Sequence, residues 1–245
     1  MFSMFKSSNL NFKIHLISAV AGALPLLSVA CGAADPNLST ASVEVDQKDE
    51  QLRKGTHRRN VILFVGDGMG VSTVTAARIL EGQKRGEPGE ENSLAFDTFR
   101  HVSLIKTYRV NQQTSDSAPT MTAMVTGQKT KDGILSINSN VVRGDYKTAA
   151  GNTLTTILEQ AEDAGLSTGG VSTARITHAT PAACYSHSPD RDWEADSNLP
   201  DDALAADFPD IARQLVEFKH GDGLEVAIGG GREYFLPKTS ADPED

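Results

Sequence analysis

Apolar and polar positions follow two rhythms along this chain, and their order predicts strands alternating with helices. Val61 to Val65 is an uninterrupted apolar run rich in β-branched residues. That pattern fits a strand buried on both faces in the middle of a parallel sheet. It stops at Gly66-Asp67-Gly68, and Ser72 to Leu80 then has helical composition. Lys84 to Asn92 reads as a loop, and Val102 to Val110 alternates enough to predict a second strand. Asp116 or Ser117 can cap a helix with Pro119 in its first turn and Gly127 just past its end. Asn152 stands before an amphipathic stripe of Leu154, Ile157, Leu158, Ala161 and Ala164, closed by Gly165. Ser167 to Ser172 predicts a short strand. Thr180 and Pro181 predict a cap and first helical position, Asp210 to Lys219 a helix, and Leu224 to Ile228 a buried strand. The alternation predicts an α/β class with a largely parallel central sheet flanked by helices.

The N-terminus has a different pattern. Residues 1–31 read as a secretory signal, with Lys6 and Lys13 as its positive region and Leu16 to Ala30 as a short apolar core. Leu27-Ser28-Val29-Ala30-Cys31-Gly32 resembles a bacterial lipobox, in which Cys31 becomes the lipidated mature N-terminus. Ser28 departs from that pattern, and plain cleavage after Ala30 or Ala34 is the alternative. Either way the expected location is exported, in the periplasm or at the cell surface, with a lipid anchor in the first case. Residues 32–57 are polar without a helical stripe and read as a flexible tether. Residues 58–245 form the folded part. With Cys31 lipidated, Cys184 is a lone thiol, expected as a small buried hydrophobe.

Composition narrows the function. The 245 residues are 39% hydrophobic and 22% charged, which suits one globular α/β domain after the leader. A formal net charge of −9 argues against nucleic acid as a partner, because phosphate backbones need a basic face. Acidic side chains can instead collect around cations.

Candidate chemistry sits at the predicted element ends. Asp67 lies between glycines at the carboxyl end of the first strand, the edge where open α/β sheets bind ligands. It fits a functional carboxylate and a helix-capping turn alike. Ser117 at a helix N-terminus is a candidate nucleophile, since that end stabilises an alkoxide or an attached anion. A plain capping serine is the alternative, and Asp116-Ser117-Ala118 lacks the glycines of a nucleophile elbow. Asp67, His178 and Thr180 are donors suited to divalent cations, although His178 alone equally suits a structural role. Arg191 can present a planar fork to a tetrahedral anion, or pair at the surface with Asp190 or Asp192. Gly229-Gly230-Gly231 lacks the Lys-Ser/Thr of a phosphate loop and reads as a turn.

In combination these stretches carry a resemblance. Val-Gly-Asp-Gly-Met-Gly at 65–70, Thr-Ser-Asp-Ser-Ala at 114–118, His-Ala-Thr-Pro-Ala-Ala at 178–183 and Arg191-Asp192-Trp193 resemble, in order and spacing, the alkaline phosphatase family. Gly229 to Arg232 adds to the likeness, which runs from Asn60 to Phe235. The resemblance implies hydrolysis of phosphate monoesters through a phosphoserine, with two Zn²⁺ and one Mg²⁺. Asp67 resembles the carboxylate shared by one zinc and the magnesium, Ser117 the phosphorylated serine, and Thr180 a magnesium ligand. Arg191 resembles the arginine on two phosphate oxygens, and Asp116 the residue that steadies it. His178 stands where some bacterial members have a magnesium-side Asp and animal members have His. The expected partners are small phosphate monoesters and inorganic phosphate, with a homodimer for the complete protein.

The family's remaining metal ligands, a Glu and several Asp and His, have no counterpart here. His220 is the one histidine after Arg191, and it matches no ligand motif. The sequence thus reads as the N-terminal part of such a protein, expected to be inactive alone. Two rival readings are a non-catalytic exported lipoprotein fragment that binds metal or phosphate, and a sulfatase-like relative. The second is disfavoured by the absence of a Cys/Ser-x-Pro-x-Arg segment.

Overall fold

A computed structural model describes residues 60–237 and 239–240, together with the short strand at residues 15–17. The rest of the expected leader, Cys31 and the tether lie outside the described residues.

Strand β1 (His15–Ile17) pairs parallel with β2 (Leu63–Val65), with Leu16 opposite Phe64. β2 is shorter than the apolar run that predicts it, and its burial is one-sided. Leu63 and Val65 pack on the core, whereas Phe64 faces outward and Val61 is 82% exposed. The expectation of burial on both faces is therefore corrected: side chains of a strand alternate, and only one face has a partner among the described residues.

Helix α1 (Val71–Lys84) starts at Gly70 with no side-chain cap, so Asp67 is not its capping residue. Val102 to Val110 forms no strand. Leu104 is 91% exposed, and the segment is tied at its end, where the Val110 N–H donates to the Thr130 carbonyl at 3.1 Å. Despite its alternating pattern it pairs with no strand among the described residues and is not a sheet member.

Helix α2 (Ser117–Thr126) buries Ala118, Met121 and Val125 and closes at Gly127, whose φ of 73° is the left-handed turn expected there. Helix α3 (Ile157–Asp163) begins later than predicted. Thr156 is its cap, not Asn152: Thr156 Oγ1 accepts from the Glu159 N–H at 3.2 Å, and the Glu159 carboxylate accepts from the Thr156 N–H at 2.7 Å. This reciprocal pair satisfies two helix-end donors at once. Asn152 instead joins Asn138 and the Thr148 carbonyl.

The remaining elements are β3 (Gly169–Arg175), α4 (Ala179–Ala182), α5 (Asp201–Ala205), α6 (Ile211–Val216) and β4 (Val226–Gly230). Asp210 caps α6, accepting from the Arg213 N–H at 2.6 Å. β3 and β4 pair parallel, with Gly170 opposite Ala227 and a register shift before Arg175 meets Gly230. A side chain at Gly229 would come within 2.9 Å of the Ile176 amide, so the two backbones need glycine there. β4 is exposed along its length, against the expected buried strand. Gly229 and Gly230 belong to β4, and Gly231, at φ 86°, turns the chain.

The fold is α/β with parallel pairing, arranged in the described residues as two two-stranded ladders. The main core packs α2 against α4 through Ala118, Met121, Ala179 and Ala182, with Tyr185 and Ile211 beside them. Small side chains on both helices permit the close approach. Leu63 and Val65 join the same cluster, so the end of β2 and the starts of α2 and α4 meet. Cys184 packs here as a free thiol, pushed up to about 12 by burial. Among the described residues no helix is long and apolar enough to cross a membrane.

Candidate active site

That meeting point gathers the polar residues picked out in the sequence. Asp67 stands exposed on the turn after β2, where Gly68 takes φ 67°. Ser117 is the first residue of α2, and its Oγ donates to the Asp67 carboxylate, 3.0 Å from each oxygen. Thr180 Oγ1 donates to Asp67 Oδ2 at 2.6 Å. Thr180 is thus not the cap of α4. His178 holds that position with extended backbone, which frees the threonine hydroxyl to turn to Asp67.

Asp116 precedes α2 in extended conformation, yet its carboxylate makes no capping bond. Its oxygens go to two arginines: Arg191 Nη1 donates to Oδ2 at 2.9 Å, and Arg109 Nη1 to Oδ1 at 3.0 Å. Arg191 is therefore not paired with Asp190 or Asp192. Those carboxylates are held by Arg143, at 3.0 and 3.1 Å. The second amino group of Arg191 faces His178 Nε2 at 3.0 Å. Burial, then the charges of Arg191 and Arg175, lower the His178 imidazole below its ordinary value. A neutral ring with its lone pair on Nε2 can accept the Arg191 hydrogen bond.

Sequence reasoning missed the supporting residues. Arg109 has no motif around it. Glu194 is buried and takes two hydrogen bonds from Arg175, at 2.6 and 2.9 Å, and one from Thr177 at 2.6 Å. Burial opposes its ionisation, but the bonds from Arg175 and Thr177 outweigh that and hold its carboxyl below the usual range. Its nearness to Arg191 in sequence, three residues on, was the one available signal. These bonds fix the chain between β3 and α4, which carries His178 and leads directly into Thr180 of α4.

The donor set answers differently for the two expected metals. Magnesium binds through one or two carboxylates plus water, and the Asp67 carboxylate with the Thr180 hydroxyl suits it. Zinc takes at least three protein ligands. Among the described residues no group of three or more His, Cys, Asp or Glu converges, so Asp67 and Ser117 alone do not hold a zinc pair. His178 faces Arg191, as described, and not the Asp67 carboxylate.

The profile of the alkaline phosphatase family matches residues 58–245. The chain is 51% identical over 186 residues to an alkaline phosphatase of Gadus morhua, covering 76% of this chain and 39% of that protein. It is 50% identical over 186 residues to the tissue-nonspecific isozyme of Gallus gallus, covering 76% of this chain and 36% of that one. A solved cold-active alkaline phosphatase from a Shewanella species superposes with a TM-score of 0.51 at 31% identity, over 70% of this chain and 36% of that chain. The chain thus spans well under half the length of the curated relatives it matches.

Proposed function

The chain belongs to the alkaline phosphatase family, and from that premise we propose that it carries the nucleophile and the phosphate-binding arm of a phosphate monoester hydrolase. One juxtaposition supports this above the rest: Ser117 at the start of α2 bonds Asp67, and its neighbour Asp116 holds Arg191.

Ser117 Oγ gives its proton to a solvent hydroxide and attacks phosphorus. A bond forms between Oγ and phosphorus, and the bond to the leaving alcohol oxygen breaks; that oxygen takes a proton from water. Water then attacks the phosphoserine, the bond to Oγ breaks, inorganic phosphate leaves, and Ser117 regains its proton. Asp67 accepts the serine hydrogen bond and aims Oγ. The start of α2 favours the anion that gathers there. Arg191 binds non-bridging phosphoryl oxygens through charge-assisted bonds. A carboxylate is too weak a base to take the serine proton alone. Divalent cations, two Zn²⁺ and one Mg²⁺ in this reading, would when bound supply charge that acidifies the serine and offsets the charge on the leaving oxygen. Asp67 and Thr180 would hold the magnesium, and Asp67 with Ser117 would face a zinc.

The substrates in this reading are small phosphate monoesters, and the complete protein is a homodimer. The protein is exported and anchored through lipid on Cys31, on the strength of the leader sequence. The 245 residues alone turn over negligibly, because the described residues offer zinc too few ligands; phosphate binding through Arg191 outlasts catalysis.

The test is one chromogenic phosphate-ester assay, with Zn²⁺ and Mg²⁺ at alkaline pH, on two proteins. The chain alone is expected to match its Ser117→Ala variant. A chimera in which residues 58–245 replace the matching segment of the Gadus morhua enzyme is expected to hydrolyse the ester. Turnover by the chain that vanishes in Ser117→Ala overturns the ligand count. A folded chimera without turnover overturns the reading.

A further inference from the structure

We propose that Arg109 is a positioning residue for Arg191, acting through Asp116 within a closed ring of alternating charges. The functional consequence rests on the reading of Arg191 as the phosphate-binding group.

The ring runs through six residues. Arg191 meets Asp116 Oδ2 at 2.9 Å, and Asp116 Oδ1 meets Arg109 at 3.0 Å. Arg109 is also paired with Asp132. Asp132 meets Arg143 at 2.8 Å, and Arg143 meets Asp190 at 3.0 Å, the residue directly before Arg191. The Arg191 N–H itself donates to the Gly133 carbonyl at 2.7 Å, beside Asp132. One network therefore grips the Arg191 side chain at its tip and its backbone at the root. Gly133 has φ 68°, and a side chain there would strike the Arg143 guanidinium. The ring closes past a residue without a Cβ.

Arg109 is the buried member, 8% exposed, with an Nε that has no hydrogen-bond partner. A buried guanidinium short of a partner is costly unless its charge is well matched. The matching comes from Asp116 and Asp132 on one amino group, and Gln112 takes the other. This arrangement has a specific effect on Arg191. Carboxylates prefer to take arginine as a two-pronged fork. With Oδ1 committed to Arg109, Asp116 offers Arg191 one oxygen only. The contact is single-pronged, and the rest of the Arg191 donor edge is not spent on Asp116. Two cations also share one carboxylate, so the charge of Arg191 is incompletely cancelled. Without Arg109, Asp116 turns both oxygens to Arg191 and occupies the fork that would meet a phosphoryl group.

The experiment is NMR of the full chain with ¹⁵N-labelled arginine, following the Arg191 guanidinium signals, identified by their loss in Arg191→Lys. Arg109→Gln is expected to shift those signals, and Arg109→Lys to leave them at the wild-type position, since an ammonium still occupies Oδ1. Asp132→Asn, at a residue 29% exposed, is expected to shift them in the same sense by less. Unmoved Arg191 signals in folded Arg109→Gln overturn the proposal. If Arg109→Gln does not fold, unmoved signals in Asp132→Asn do so. No phosphate enters the readout, so failure of the phosphatase reading is registered separately by the ester assay.

Discussion

Ser117 Oγ stands 3.0 Å from both carboxylate oxygens of Asp67, fifty residues away along the chain. The distance is set by packing, not by either local turn. Ala118 and Met121 of α2 and Val65 of β2 share one core cluster, which fixes the helix start against the strand end. The serine is thus oriented by a carboxylate that is itself exposed to ligand.

Arg191→Ala in the chimera should weaken phosphate binding more than it disturbs the fold. Hydrogen bonds to charged groups contribute roughly 1.5–3 kcal/mol, which is roughly ten- to a hundredfold in affinity. Competitive inhibition by inorganic phosphate checks it. Inhibition unchanged from the parent chimera would remove Arg191 from its role.

Stability should depend on pH through His187 and Glu159. His187 Nε2 lies 2.7 Å from Glu159 Oε1 and Nδ1 lies 2.8 Å from the Ser136 carbonyl, so both nitrogens face acceptors and the charged ring suits the site. Burial works against that charge, but the bond and charge of Glu159 outweigh it and raise His187 above its ordinary 6.5. Burial likewise opposes the Glu159 charge, but His187, then the Thr156 N–H and His220, together outweigh it, so Glu159 falls below its ordinary 4.5. The His187 contribution is complete below pH 6.5 and is lost as pH rises through the raised value. The Glu159 contribution is complete above pH 4.5 and is lost as pH falls through the lowered value. Thermal unfolding of His187→Gln beside wild type should therefore show its largest deficit between these limits, on the order of 3 kcal/mol for breaking a buried pair. The deficit should shrink on the alkaline side. A deficit that is flat with pH would mean the ring acts by packing alone.

Export and lipidation are checked in cells. Full-length protein labelled with radioactive palmitate should carry label that Cys31→Ser abolishes. An unlabelled wild type that is still exported would leave plain cleavage after Ala30 or Ala34.

The legible parts of this protein were local. Asp116, Pro119 and Gly127 mark both ends of α2, and the glycines around Asp67 mark a strand end, because backbone geometry there depends on the residues themselves. Partners were not legible. Val102 to Val110 has a strand pattern but pairs with no described strand, and β4 is exposed where its apolar run implied burial. Asn152 and Thr156 are both good caps. The choice fell to Thr156 because Glu159 completes its capping box, while Asn138 and the Thr148 carbonyl engage Asn152. Arg109 was invisible for the same reason: nothing near it in sequence announces the carboxylates of Asp116 and Asp132.

The central claim is that Ser117 takes the phosphoryl group. The most direct measurement is acid quenching of the chimera during turnover of a phosphate ester, followed by peptide mass spectrometry. The account predicts phosphate on Ser117, and none on that peptide in Ser117→Ala. Phosphate on a different residue, or turnover that continues in Ser117→Ala, would contradict it.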